Sequence, residues 1–203
     1  MTRRLVAGPE GGWLSLGLVL VMCVAMAWAI DDVAPVMGRD RFTDFLTWAA
    51  LGGVLAGFAG PIVGWGRWRT YVIGSTFAAL LVPLMVGGLL PDGGSPHDSY
   101  MATATAAWNA YADLIAKGQP FTQEYGHHLL VFGLFVWGTS MFAAYATFGH
   151  RRPLNAVVLI GVVLVINMSL TVKDQLGYLI VYSLASLFLL IRFHALEEQA
   201  EWL

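Results

Sequence analysis

Charge is what this chain lacks. Only 12% of its 203 residues are Asp, Glu, Lys or Arg, against about a quarter in soluble domains. With 58% hydrophobic residues and a mean hydropathy of +0.67, a soluble globular domain is excluded. The formal net charge of −2 provides no basic surface for nucleic acid. Cysteine is nearly absent too: Cys23 stands alone, forms no internal disulfide, and reads as packing filler inside an apolar run. There is no Walker sequence, no dinucleotide fingerprint and no nucleophile elbow. Gly138-Thr139-Ser140-Met141 lacks the second glycine that an elbow needs.

What is present is a set of six apolar runs, over residues 13–30, 45–64, 71–90, 129–148, 154–170 and 176–191, none holding an Asp, Glu, Lys, Arg or His. A crossing needs about twenty apolar residues, so the sequence predicts a single all-α domain over residues 1–203, a polytopic bundle of six transmembrane helices. Arg3-Arg4 ahead of the first run imitates a signal peptide. The run is longer than a signal core and five more follow, so it reads as a retained helix. Intramembrane ionisable residues mark proton relays and ion paths, and their absence argues against a coupled transporter. Thr139, Ser140, Asn155, Asn167 and Ser169 are the polar residues of the later runs, each able to be satisfied by a helix-to-helix hydrogen bond or by its own helix backbone.

The second run carries Gly53, Gly57, Gly60 and Gly64 at intervals of four, three and four. Lipid offers no hydrophobic drive between helices, so small residues that let backbones approach are the usual packing device. This stripe predicts an intramolecular helix seam. Orientation follows from Lys and Arg. With the N-terminus in the cytoplasm, Arg3, Arg4, Arg67, Arg69, Arg151, Arg152 and Arg192 fall inside, seven of eleven. The expectation is a multi-pass protein of the cell membrane with both termini cytoplasmic.

Residues 91–126 form the long segment that is not hydrophobic. Ser95 reads as an N-cap, Pro96 as the first helical residue and Asp98 as the partner in a capping box, with Gly118 and Pro120 as the stop. Over 96–117 the residues Met101, Thr105, Trp108, Ala112 and Ile115 recur at alternating fours and threes, which puts them on one face. The segment is predicted to be an amphipathic extracytoplasmic helix against the membrane surface or over the mouth of the bundle. Met101, Trp108, Tyr111 and Ile115 are its candidate docking residues.

One cluster resembles a metal site. Glu124 and His127 stand at i and i+3 with His128 beside them, the spacing used in di-iron carboxylate bundles. Those sites need the motif twice and two further glutamates, so His127 and His128 are expected to mark where the fourth span meets the outer headgroups. No catalytic residue, cofactor or metal is assigned. A stand-alone membrane enzyme using these three residues, an uncoupled transporter and an assembly subunit remain alternatives.

After the last run, residues 194–203 begin an amphipathic helix with Leu196, Ala200 and Leu203 on one face. The pattern stops without a cap, which predicts an N-terminal portion of something longer. Six spans, arginine-paired inner turns and the ending Arg192-Phe193-His194-Ala195-Leu196-Glu197-Glu198-Gln199-Ala200-Glu201-Trp202 resemble the membrane region of bacterial, particularly actinobacterial, transglutaminase-like membrane proteins. The resemblance implies a multi-span region ahead of an extracytoplasmic domain with a Cys-His-Asp triad. Nothing here matches that triad. The expected role is therefore non-catalytic: a domain that anchors and positions a downstream extracytoplasmic domain of the same polypeptide. Its other partner is the lipid bilayer, and any transglutaminase or protease-like activity would lie downstream.

Overall fold

A computed structural model describes residues 12–33, 44–90, 94–118, 126–171 and 173–201. These form α1 (Gly12–Val33), α2 (Phe45–Val63), α3 (Arg67–Gly87), α4 (Pro96–Lys117), α5 (Gly126–Phe148), α6 (Pro153–Leu170) and α7 (Leu176–Glu201). Among the described residues there is no strand. Helices satisfy their own backbone groups, the condition for running through an apolar medium. All but α4 are long and apolar enough to cross a membrane.

The predicted runs and the helices agree in number and order. They differ at the ends, because hydropathy marks the apolar stretch and not the hydrogen-bonded one. Thus α3 starts at Arg67 and α5 at Gly126. The amphipathic segment expected after the last run is the continuation of α7, which passes unbroken to Glu201.

The helices alternate in direction, leaving an end that carries α4 and an end that carries the arginine turns. At the α4 end, Ala29 of α1 meets Asn167 of α6 and Gln175 ahead of α7. At the arginine end, Arg192 of α7 meets Ser15 of α1. Hence α2 and α5 run parallel, and their pairing is the tightest in the bundle. A Cβ on Gly53 would land on the carbonyl oxygen of Trp137 and 3.0 Å from Ser140 Cβ; one on Gly57 would land on that of Met141 and 3.0 Å from Ala144 Cβ. The matched step of four residues on both helices keeps the contact in register. Gly52 leaves room for the Trp137 ring, and Phe58 meets Phe148 edge-on with ring centroids 5.0 Å apart.

The glycine stripe therefore divides. Gly53 and Gly57 line the seam with α5, Gly60 lies over Thr70 of α3, and Gly64 touches nothing within 4 Å. Gly64 instead ends α2 in the left-handed region at φ 77°, a conformation that disfavours any side chain. A period of 3.6 seen along the chain does not say that one neighbour covers its whole length.

Helix α5 is the hub, packed against α1, α2, α3, α4 and α6. The core holds Met22, Met26, Leu46, Val54, Val82, Val136, Ile160 and Leu164, all essentially inaccessible. Replacing Gly57 by Leu should cost on the order of 1–3 kcal/mol, the usual range for overpacking, read as a lower Tm in detergent. Gly138 of α5 has nothing within 4 Å of its Cβ position, so Gly138→Leu should melt like wild type. The opposite ranking would place the seam elsewhere.

Candidate functional site

Helix α4 is built by its ends. Ser95 Oγ accepts from the Asp98 amide at 3.2 Å and donates to Asp98 Oδ2 at 2.6 Å, while the Ser95 amide donates to the same carboxylate at 3.2 Å. Pro96 fills the first helical position, and Gly118 closes the helix in the left-handed region at φ 64° with its amide on the Asp113 carbonyl. The Ser95 hydroxyl, then the Ser95 amide, hold the Asp98 carboxyl below its ordinary value.

The face that seats α4 on the bundle is small and polar. Ser99, Thr103 and Ala106 are buried, spaced four and three apart. The Thr103 hydroxyl donates to the Pro83 carbonyl at 2.8 Å and shares its hydrogen with Ser99 at 3.0 Å. Gly87 lies so close that a Cβ there would strike the Ser99 backbone, and a Cβ on Gly126 would come within 2.9 Å of Ala106 Cβ. Helix α4 is thus set against the last turns of α3 and the first turn of α5.

The expected apolar face points away from that seat. Met101, Trp108, Tyr111 and Ile115 are all exposed, Trp108 to 66% and Ile115 to 65%, with Tyr100 and Leu114 beside them. The rings of Trp108 and Tyr111 lie 5.9 Å apart. Sequence periodicity found this stripe but not the seat. The signal for the seat was Ser99 and Thr103 at i and i+4, which becomes legible only once Gly87 and Pro83 are known to lie opposite.

At the same end, Asn167 Nδ2 donates to the Ala29 carbonyl at 2.7 Å and to Gln175 Oε1 at 2.9 Å. Gln175 Nε2 donates to the same carbonyl at 2.8 Å. Both side chains are buried, so this clasp joins α1, α6 and α7 with its strongest donors used internally. Tyr178 OH adds a bond to Asp32 at 3.3 Å.

His127 and His128 occupy the first turn of α5, ring centroids 3.8 Å apart. His127 Nδ1 is buried without a hydrogen-bond partner. Glu124 lies outside the described residues, as do Arg3, Arg4, Arg39, Arg41 and Trp202. Among the described residues, no three His, Cys, Asp or Glu side chains are grouped to hold a metal. Deep in the bundle, Cys23 is buried beside the Ser140 hydroxyl, which like Trp137 Nε1 makes no hydrogen bond of good geometry.

A lateral belt of exposed Leu55, Val72, Phe77, Val131, Phe135, Val158, Ile180 and Leu184 encircles this interior, an apolar surface far beyond what water tolerates. The class is accordingly an all-α, multi-pass membrane protein. Comparison with protein-family models, curated proteins and solved structures finds no match to this chain.

Two outcomes are expected. Because the folded state binds the Asp98 proton less readily than the unfolded chain, the cap's contribution is present above the ordinary carboxylate range. It is lost as pH falls through the lowered value. The amides of the first turn of α4 should lose exchange protection on acidification, and Asp98→Asn should remove that pH dependence. Asn167→Leu should cost about 1–3 kcal/mol through the polar groups it strands. A double-mutant cycle with Gln175→Leu should give a coupling of roughly 0.5–3 kcal/mol, since both donate to one carbonyl. Additivity would dissolve the clasp.

Proposed function

We propose that this chain anchors and positions an extracytoplasmic, transglutaminase-like domain of the same polypeptide, with catalysis outside residues 1–203. The observation that supports it most is the two-faced seating of α4. One face is locked to α3 and α5 through backbone contact, and the other offers Met101, Trp108, Tyr111 and Ile115 to a neighbour. A rigid helix with an aromatic outer face is a docking surface, since ordering it on binding costs little.

The interior fits the same reading. Among the described residues, no Asp, Glu, Lys or Arg is buried, the buried His127 Nδ1 lies in the first turn of α5, and Asn167 and Gln175 spend their donors on each other and on Ala29. That interior supports anchoring over a coupled ion path, which ionisable groups within the spans usually mark. In this reading the protein lies in the cell membrane with the arginine turns in the cytoplasm and α4 outside.

The topology is tested by cysteines at Ser95 and Gly149, both exposed, in a background where Cys23 is replaced. Ser95→Cys should react with an impermeant thiol reagent in intact cells and Gly149→Cys should not; the reverse labelling overturns the orientation. For docking, Trp108→Ala should leave the bundle's Tm unchanged yet hasten protease release of the downstream domain from membranes. Asp113→Asn should change neither. Loss of an activity of residues 1–203 alone in Asp113→Asn would make this chain an enzyme.

A further inference from the structure

We infer that the outer face of α5 and α6 is the contact with a second copy of this chain inside the membrane. The inference stands apart from the anchoring role, and either can fail without the other. Between these two helices runs a groove of about 870 Å³. Its α5 wall includes Phe135, Gly138 and Thr139, and its α6 wall Asn155, Val158 and Val162. Phe135, Val158 and Val162 are exposed, so the groove opens on the lateral belt.

Two features set this groove apart from a plain apolar surface. Gly138 widens it, since a Cβ there would meet nothing within 4 Å. Two polar side chains also line it without satisfaction. Thr76, Thr147 and Ser169 each turn the hydroxyl back onto the carbonyl four residues earlier. Thr139 does not. It is only 7% exposed, yet among the described residues neither its hydroxyl nor the Asn155 amide finds a hydrogen-bond partner.

Depth decides what can satisfy them. Thr139 lies about 13 Å along α5 from Phe148, the last residue of that helix, near the middle of a hydrocarbon layer roughly 30 Å thick. Asn155 is in the first turn of α6, at the arginine end. An unbonded hydroxyl or amide in hydrocarbon costs free energy that a partner recovers. An acyl chain fills a groove but brings no donor or acceptor to the depth of Thr139. A neighbouring helix can present polar groups at both depths.

Symmetry assigns that helix to a second copy. Two copies inserted in the same direction close as a dimer about an axis along the membrane normal, so each residue faces partners at its own depth. Thr139 then stands opposite its counterpart, and Asn155 opposite its own. A hydroxyl and an amide each carry both a donor and an acceptor, so each can satisfy its duplicate. Shape agrees with this pairing. Leu154, Val158 and Val162 are exposed at intervals of four along α6, a ridge at the edge of the groove. The ridge of each copy enters the groove of the other.

The test uses the purified chain in liposomes, with subunits counted by single-molecule photobleaching as the protein-to-lipid ratio rises. Disulfide cross-linking in a background where Cys23 is replaced locates the contact. The wild-type chain should pass from monomers to dimers. Val158→Cys should cross-link to its counterpart, and Phe77→Cys, exposed on α3, should not. Asn155→Leu combined with Thr139→Val should weaken dimerisation about tenfold while leaving the Tm of dilute protein in detergent unchanged. Val158→Trp obstructs the groove from the lipid side and should abolish dimerisation. A chain that stays monomeric at every ratio would overturn the inference, as would cross-linking through Phe77→Cys in place of Val158→Cys. Wild-type dimerisation in the double variant or in Val158→Trp would do the same. So would a monomer carrying a lipid that Val158→Trp displaces, which would make the groove a lipid site.

Discussion

The contact of α2 with α5 at Gly53 and Gly57 is the constraint on which the bundle depends. Inside a bilayer, apolar side chains gain nothing by leaving lipid for protein, so helices associate through close packing and interhelical hydrogen bonds. Here two parallel backbones touch over a full turn, with the Trp137 and Met141 carbonyls where side chains would otherwise stand. Because α5 also meets α1, α3, α4 and α6, its position against α2 sets where each of them can lie. A larger residue at Gly57 would act on the arrangement of the bundle as well as on one contact.

The second organising rule is that buried polar groups are used near the ends. At the α4 end, Asn167 and Gln175 close on the Ala29 carbonyl. At the other end, Ser15 holds Arg192. Tyr182 sits between these levels and donates to the Val157 carbonyl at 2.6 Å, tying α7 to α6. These bonds fix helices against sliding where apolar packing is nearly indifferent to register. Among the described residues, Ser140 Oγ and Trp137 Nε1 at the α2–α5 seam, Ser186 Oγ of α7 and His127 Nδ1 in the first turn of α5 are buried without a hydrogen-bond partner.

Helix α4 shows how one segment serves two surfaces. Its capping box and glycine stop define its length without help from the bundle. Its seat uses small and hydroxyl side chains, which permit backbone contact with Gly87 and a bond to Pro83. The large apolar residues are thereby left on the outer side, available to lipid or to another domain. Had Trp108 and Ile115 packed inward, α4 would stand further off and the Thr103 bond could not form.

The sequence alone determined the class. Runs of uncharged residues can satisfy their backbones only as helices, so the number and order of the spans were readable, along with the Ser95–Asp98 cap, whose partners are three residues apart. The tertiary structure decided which neighbour each face meets. It split the glycine stripe among α5, α3 and a helix end, and it turned the apolar stripe of α4 outward. It also brought Gln175 to Asn167 and Arg192 to Ser15. The reason is physical: secondary structure here follows from local chemistry and solvent, whereas in lipid both apolar and small faces are tolerated against several neighbours. Periodicity can show that a face exists, but only the packing of the other helices selects what covers it.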